Sequence, residues 1–220
     1  MITSHDQEAA VGAAVEILAA EDPWRDLPPT AKLVVESAVR SFADRGFHAT
    51  TLKHIAAGSG LSTAALYVHF GSKDELLYEI SRRGHESALT IVEKAAALEP
   101  ADHAFHTLVY VFARWHAERH TVARVVQYQL NALTGVQAEK IADIRRRTEH
   151  VVRRVVAAVS TTGDDDIDLR GLSAAVISLG IDVARWYQPD GRYTPDEVGR
   201  LQCRLAARLL QLGSHSASSN

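Results

Sequence analysis

Apolar residues recur every three to four positions along almost the whole chain, and this period constrains the fold more than any other feature of the sequence. An α-helix has 3.6 residues per turn, so this spacing gives each segment one apolar side. No stretch alternates apolar and polar residues for long enough to form a half-buried strand. The sequence therefore predicts an all-α protein with about ten helices.

Glycine, proline and short polar segments mark the ends of these helices. Gly46 is expected to cap the second helix in a left-handed conformation. Ser72 and Glu75 have the spacing of a capping box at the start of the fifth helix. The expected helices cover residues 7–20, 28–45, 51–57, 62–69, 73–98, 102–119, 121–133, 137–160, 168–187 and 194–212.

Two short helices on either side of Gly58-Ser59-Gly60 meet the physical requirements of a helix-turn-helix. Gly60 allows the positive φ that the turn needs. The apolar residues of the motif would form a miniature core: Leu52, Ile55, Ala56, Leu61, Leu66 and Phe70. Its polar side chains would face outward and donate hydrogen bonds to phosphate oxygens: Thr50, Thr51, Lys53, Ser62, Thr63, Tyr67, His69 and Lys73.

The distribution of charge agrees with a nucleic-acid-binding motif in this part of the chain. The formal net charge of the whole chain is −3. Residues 28–85 nevertheless carry seven Lys and Arg against five acidic residues, whereas residues 1–27 carry one Arg and six acidic residues. The small positive excess therefore lies where the motif lies.

Two runs of sequence resemble the TetR family of transcriptional regulators. They are Phe-Ala-Asp-Arg-Gly-Phe-His-Ala-Thr-Thr-Leu-Lys-His-Ile-Ala at 42–56 and Gly-Leu-Ser-Thr-Ala-Ala-Leu-Tyr-Val-His-Phe-Gly-Ser-Lys at 60–73. The match covers about residues 32–80. It implies a repressor without enzymatic activity or cofactor, which binds a double-stranded, palindromic DNA operator as a homodimer. It also implies a small-molecule effector that releases the repressor.

The resemblance assigns roles to individual positions in the motif. The residues that would hold the phosphate backbone are Thr50 or Thr51, Tyr67, His69 and Lys73. Those that would approach base edges in the major groove are Ser62, Thr63, Ala64 and Ala65. The family often has Lys or Arg at the position of Thr63. Base recognition would then depend on Thr63, on contacts between alanine and thymine methyl groups, and on DNA shape.

The pattern and the resemblance together predict four parts of the chain. They are an acidic, helical N-terminal extension (1–27), a three-helix helix-turn-helix domain (28–75), a helical domain for effector binding and dimerisation (76–213), and a flexible tail (214–220). The extension either packs on the core or partly screens the DNA-binding face.

Paired recognition helices must sit about 34 Å apart to reach successive major grooves, and this requires a dimer interface. The last two helices are its expected location. Their apolar and small side chains would form a four-helix bundle with a second copy: Ala174, Ile177, Ser178, Ile181, Leu201, Leu205 and Leu209. The alternative is that these stripes only close the protein's own core.

Aromatic and polar residues between 102 and 187 are typical of an effector pocket in a helical bundle. The expected effector-binding residues are Tyr110, Trp115, His116, Arg124, Gln127, Tyr128, Arg146, His150, Asp182, Arg185 and Trp186. The segment 185–194 also resembles TetR regulators that sense acyl-CoA or steroid-CoA thioesters, whose phosphates or carboxylate the arginines would bind. Packing within the core is the alternative role of each aromatic residue.

Other classes of function have weaker support in the sequence. His103 with His106, and His116 with His120, have spacings that allow metal sensing, but no matching cysteine or carboxylate set accompanies them. No nucleophile elbow, phosphate-binding glycine loop or zinc-protease pattern indicates an enzyme. A helical protein that binds a protein partner and no DNA is the remaining alternative. A single cysteine, Cys203, and the lack of a membrane-spanning run predict a cytoplasmic protein.

Overall fold

The computed structural model describes the backbone of residues 4–160 and 166–216, and the side chains of residues 12–160 and 169–210. All regular structure in these ranges is helical, which confirms the predicted all-α class. The helices are α1 (Ser4–Ala19), α2 (Pro29–Ala49), α3 (Leu52–Ser59), α4 (Thr63–Tyr67), α5 (Lys73–Ala96), α6 (Ala101–Glu118), α7 (His120–Tyr128), α8 (Gly135–Val159), α9 (Asp166–Ile181), α10 (Val183–Trp186) and α11 (Pro195–Ser216), with a 3-10 turn at Leu130–Ala132. The last four residues of the expected flexible tail lie outside the described residues.

The helices pack as two compact units. The first comprises the described residues of Met1–Glu21, Ala88–His120 and Arg145–Asn220. The second comprises Asp22–Ser87 and Thr121–Ile144. The second unit therefore joins the expected helix-turn-helix to α7 and the start of α8, a grouping that the sequence did not indicate. Within the described ranges, no helix has both the length and the apolar character that a membrane span requires.

The core of the first unit is built around α6. Residues 104–113 of this helix are all buried, so the helix is covered on every side, and its neighbours in this unit include α1, α9 and α11. Two glycines let neighbouring helices approach it closely, because a Cβ on Gly180 would lie 2.2 Å from Phe112 and one on Gly199 would lie 2.8 Å from Tyr110. The N-terminal helix α1 thus packs on the core, as one reading of the extension predicted.

The core of the second unit is formed mainly by α2, α3, α4 and α5. Its largest fully buried side chains include Phe42, Ile55, Leu66, Leu76, Leu77, Ile80 and, from α8, Ile141. The hydroxyl of Ser37 donates to the carbonyl oxygen of Ile55 at 2.7 Å and so ties α2 to α3. Leu66 and Phe70 are buried as the helix-turn-helix pattern predicted, which leaves the opposite side of α4 exposed.

Two predicted helix caps have a different geometry in the structure. Gly46 has the expected positive φ of 76°, but its ψ of 163° is extended, so it bends the chain and does not form a left-handed cap; helical structure continues to Ala49. At the start of α5, the Ser72 hydroxyl accepts from the N–H of Glu75 as expected, but the Glu75 carboxylate reaches past Ser72 to the N–H of Gly71.

Candidate functional site

The start of α3 is held by a reciprocal pair of hydrogen bonds between Thr51 and His54. The Thr51 hydroxyl accepts from the N–H of His54 at 3.2 Å, and Nδ1 of His54 accepts from the N–H of Thr51 at 3.3 Å. The sequence did not reveal this capping box, because a glutamate or glutamine usually occupies the position of His54. Both side chains remain exposed, as does that of Lys53.

The turn between α3 and α4 has the predicted conformation. Gly60 adopts the left-handed helical region at φ 72° and ψ 14° and caps α3. A side chain at this position would strain the backbone. The Ser62 hydroxyl then accepts from the N–H of Ala65 at 3.1 Å and starts α4. Glycine and serine therefore fix the angle at which α4 is presented.

The outer side of α4 is a continuous exposed surface. Thr63, Ala64 and Tyr67 are exposed, and Ala65 is half-buried. Val68, which follows the helix, is 79% exposed and was not among the expected DNA-binding residues. Its exposure could not be recognised from sequence, because valine usually occupies the buried side of a helix.

Thr50 is a correction to the expected set. Its side chain is buried, and its hydroxyl lies 2.8 Å from the carbonyl oxygen of Gly46 and 3.0 Å from that of Ser41. These two carbonyls share its one proton. The hydroxyl of Thr50 therefore stabilises the end of α2 and is not presented to a phosphate, whereas Thr51 is exposed.

Lys73 and His69 are also engaged within the protein. Nζ of Lys73 donates to the carbonyl oxygens of Phe47 at 2.8 Å and Thr50 at 3.0 Å, and it lies 4.3 Å from the centre of the Phe47 ring. Nε2 of His69 lies 2.7 Å from the hydroxyl oxygen of Thr30. In this arrangement the ammonium group of Lys73 holds the end of α2 against the start of α5.

Burial divides the expected effector-binding residues into two groups. Three of them, all on α6, are buried: Tyr110, Trp115 and His116. The other eight are exposed: Arg124, Gln127, Tyr128, Arg146, His150, Asp182, Arg185 and Trp186. Those eight side chains face solvent, so in this conformation they do not line an enclosed pocket. The sequence grouped these residues by their aromatic and polar character, which did not distinguish the interior from the surface.

The buried residues of α6 have well-defined surroundings. The Tyr110 hydroxyl donates to the carboxylate of Asp196 and accepts from Arg114 at 3.2 Å. Nδ1 of His116 donates to the carbonyl oxygen of Phe112 at 2.7 Å. Burial lowers the pKa of His116 to about 4, and the hydrogen bond to Phe112 opposes this shift only in part. His116 is therefore neutral near pH 7 and packs as an aromatic residue.

An open groove of about 530 Å³ lies within the second unit, between α5 and α8. Its lining includes Tyr78, Arg82, Val136 and Lys140 and none of the expected effector-binding residues. The guanidinium of Arg82 is paired with Glu79 at 2.7 Å and Glu86 at 2.5 Å. The groove therefore mixes apolar surface with charges of both signs.

The residues expected at a dimer interface are incompletely buried by their own protomer. Ala174 and Ser178 on α9 are exposed, and the five larger apolar residues of the set are half-buried: Ile177, Ile181, Leu201, Leu205 and Leu209. Their neighbours Val176, Val198 and Ala206 are buried and serve the core of the protomer. Each helix thus packs one side into the core of the protomer and leaves an adjacent apolar side accessible.

The histidine pairs do not form a metal site in the structure. His116 is bonded to Phe112, and the ring of His120 packs against that of Tyr187 at 5.7 Å between centres. Nδ1 of His103 lies 3.4 Å from the carbonyl oxygen of Glu99. Among the described residues, no three His, Cys, Asp or Glu side chains come together in a way that could hold a metal ion.

Two family models match this chain. The model described as "Bacterial regulatory proteins, tetR family" matches residues 34–80, and "Tetracyclin repressor-like, C-terminal domain" matches residues 98–210. The chain is 28% identical over 175 residues to the HTH-type transcriptional repressor KstR2 of Mycolicibacterium smegmatis, covering 76% of this chain and 83% of that protein.

Solved structures resemble the fold over most of its length. A tetR-family regulatory protein from Rhodococcus RHA1 is 35% identical with a TM-score of 0.75, covering 83% of this chain and 97% of that one. FadR from Bacillus subtilis, solved in complex with stearoyl-CoA, is 17% identical with a TM-score of 0.63, covering 81% and 97%. The second likeness concerns the fold alone.

Proposed function

This chain belongs to the tetR family of bacterial regulatory proteins, and we propose that it is a transcriptional repressor released from its operator by a CoA thioester. As a member of this family it is a DNA-binding transcription regulator and not an enzyme. The similarity to KstR2, which is named as a repressor, supports repression and not activation as its mode of regulation. We place its action in the cytoplasm, where the operator is accessible.

The exposed side of α4 carries the DNA-binding part of the proposal. Leu66 and Phe70 bury one side of the motif, and the opposite side presents Thr63, Ala64 and Tyr67 to solvent. Thr51 and Lys53 extend this surface along α3 with a hydroxyl and an exposed ammonium group. We propose that α4 enters the major groove while Thr51, Lys53 and Tyr67 contact the phosphate backbone.

A homodimer supplies the second recognition helix. Regulators of this family act as dimers, and we propose that α9 and α11 form the interface through their accessible apolar sides. A twofold-symmetric dimer presents two identical recognition helices, so the operator is expected to be palindromic, with half-sites about 34 Å apart.

The effector is proposed to bind in the interior of the first unit. The indole Nε1 of Trp115, the hydroxyl of Thr107 and Oε1 of Gln202 are buried there without a hydrogen-bond partner among the described residues. Buried polar atoms are normally satisfied, and a bound polar ligand would satisfy them. The stearoyl-CoA complex of FadR, which has a similar fold, supports a thioester as the ligand. The exposed arginines Arg146 and Arg185 are proposed to meet its phosphates.

A DNA-binding assay with a panel of ligands tests this function. The wild-type protein is expected to bind duplex DNA from its own upstream region with an affinity that falls steeply as salt increases. Acyl-CoA and steroid-CoA thioesters are expected to release it, whereas the corresponding free acids and CoA alone are not. Release by free acids, drugs or metal ions with CoA thioesters inactive would refute the proposed effector. Absence of salt-dependent binding to any duplex would refute the proposed function itself.

A further inference from the structure

Val68 is the most exposed large hydrophobic residue among the side chains that the structure describes. It is 79% exposed, compared with 53% for Tyr67 and 65% for Val136. Val68 follows Tyr67 in right-handed helical conformation, so it lies one turn beyond Ala64 on the same side of α4. Ala64 is also exposed. The two side chains form an apolar strip along the middle of the surface that faces away from the core.

The core of the helix-turn-helix does not require this strip. Leu66 and Phe70 provide the buried contacts of the segment, and both are at most 5% exposed. A single exposed valine is ordinary on a protein surface. This valine, however, lies beside the hydroxyl-bearing residues Thr63 and Tyr67, on the surface that the proposed function places against DNA. Its partner group must therefore be sought on a base edge.

The chemistry of α4 limits which base edges it can recognise. Residues 62–68 read Ser-Thr-Ala-Ala-Leu-Tyr-Val and contain no Arg, Lys, Asn or Gln. The bidentate hydrogen bonds that identify guanine and adenine are thus not available from this helix. In the major groove, the only apolar group on a base edge is the 5-methyl group of thymine. A polar edge opposite valine would lose its water without gaining a hydrogen bond.

We propose that Ala64 and Val68 form a thymine-reading strip, which selects operator half-sites by contact with thymine 5-methyl groups. This inference rests on the proposed function, since it assigns the sequence specificity of the same surface. Ala64 is close to the N-terminal end of the recognition helix and contacts one base step, and Val68, one turn further along, contacts a neighbouring step. Thr63 and Tyr67, one helical turn apart, lie together along one side of the strip and position the helix.

Replacement of thymine by deoxyuridine tests the proposal, because it removes only the methyl group. Duplexes bound by the wild-type protein are first selected from a random library, and each thymine of one half-site is then replaced in turn. We expect one or two replacements per half-site to weaken binding of the wild-type protein about fourfold each, the size expected for one buried methyl group. V68A is expected to bind the thymine and uracil duplexes equally at the position that faces Val68.

V136A is the matched control, because Val136 is a comparably exposed valine on α8. It is expected to keep the full preference for thymine. For each variant, the ratio of its affinities for the thymine and uracil duplexes is measured. Comparing this ratio between V68A and V136A cancels any effect of the methyl group on the DNA itself. Wild-type binding that is indifferent to every replacement, or an unchanged preference in V68A, would overturn the proposal and leave the proposed function standing. Failure of the wild-type protein to bind any duplex would overturn both.

Discussion

The side-chain oxygen of Gln129 accepts a hydrogen bond from the backbone N–H of Phe47 at 3.1 Å, across 82 positions of sequence. Gly46 interrupts α2 just before this N–H, with a φ of 76°. On the other side of the same residue, the carbonyl oxygen of Phe47 accepts from Lys73. The segment that leads from α2 to α3 is therefore held by α5 and by the residue that follows α7, all within the second unit.

Loss of the Gln129 side chain is expected to loosen this segment. Q129A removes an acceptor from a partly buried N–H, which costs about 1 kcal/mol of unfolding free energy and lowers Tm by roughly 2–4 °C. We also expect weaker operator binding, because α3 begins only five residues after Phe47. Calorimetry and fluorescence anisotropy with operator DNA measure the two effects. N131A changes an exposed residue of the following turn and is expected to change neither; equal behaviour of the two variants would show that the hydrogen bond is unimportant.

Lys73 and Lys53 are expected to differ in how they affect DNA binding. K73M removes the donor to Phe47 and Thr50, so we expect a loss of about 1–3 kcal/mol of stability and weaker operator binding with an unchanged dependence on salt. K53M alters an exposed residue and is expected to leave Tm unchanged. It should reduce the slope of log K against log salt by about 0.9, the value for one lost phosphate contact.

Thermal unfolding and salt titrations of both variants distinguish these roles. A reduced salt slope in K73M with normal Tm would show that Lys73 leaves its internal carbonyl partners and binds phosphate. That result would restore the role that the family resemblance implied for Lys73.

The sequence predicted those parts of the site that depend on local spacing. Gly60, Ser62 and the buried pair Leu66 and Phe70 act over one or two helical turns, and their positions in the pattern determine their roles. The hydrogen bonding of the Thr50 hydroxyl within the protein could not be predicted in this way. It depends on how Gly46 bends the chain, and this brings two carbonyl groups to the Thr50 hydroxyl.

Contacts between distant segments were also beyond the reach of helical periodicity. The contact of Lys73 with Phe47 spans 26 positions and that of Gln129 with Phe47 spans 82. Periodicity likewise did not distinguish the buried aromatic residues of α6 from the exposed polar residues of α7 and α8. A helix that is buried on every side has no polar stripe to show which neighbour each residue contacts.

Gly180 is expected to be essential for the packing of α9 on α6. A Cβ at this position would lie 2.2 Å from Cδ1 of Phe112, a buried ring that also packs against His116 at 4.5 Å between centres. G180A should therefore destabilise the protein by about 1–3 kcal/mol through overpacking. On the same helix, a Cβ on Gly171 meets nothing within 4 Å. G171A is expected to be neutral or stabilising by up to about 1 kcal/mol, as measured by urea unfolding. Equal stability of the two variants would contradict the close approach at Gly180.

His116 is expected to make stability depend on pH below neutrality. Burial lowers its pKa in the folded protein to about 4, whereas the unfolded value is 6.5. The unfolded chain thus takes up a proton more readily than the folded one, so stability is complete above pH 6.5 and falls as the pH decreases toward 4. A shift of this size corresponds to about 3 kcal/mol over the full interval. Urea unfolding at pH 7.5 and pH 5 measures the loss, and H116F is expected to reduce it, whereas H150N, at an exposed position, is not. The same pH dependence in H116F would assign it to other groups.

Leu205 is expected to be central to the dimer, because it lies half-buried in the middle of the apolar side of α11. L205E places a charge where the proposed interface excludes water, and we expect dimerisation to weaken by at least about thirtyfold, the effect of a 2 kcal/mol interface residue. Light scattering after gel filtration measures the oligomeric state, and circular dichroism verifies that the helices persist.

I177E on α9 is expected to act in the same way, which guards against misfolding of a single variant. V136E introduces the same charge at an exposed apolar site on α8 and should remain dimeric. Folded, dimeric L205E and I177E would exclude α9 and α11 as the interface, and operator binding by a folded monomer with undiminished affinity would exclude the need for a second recognition helix.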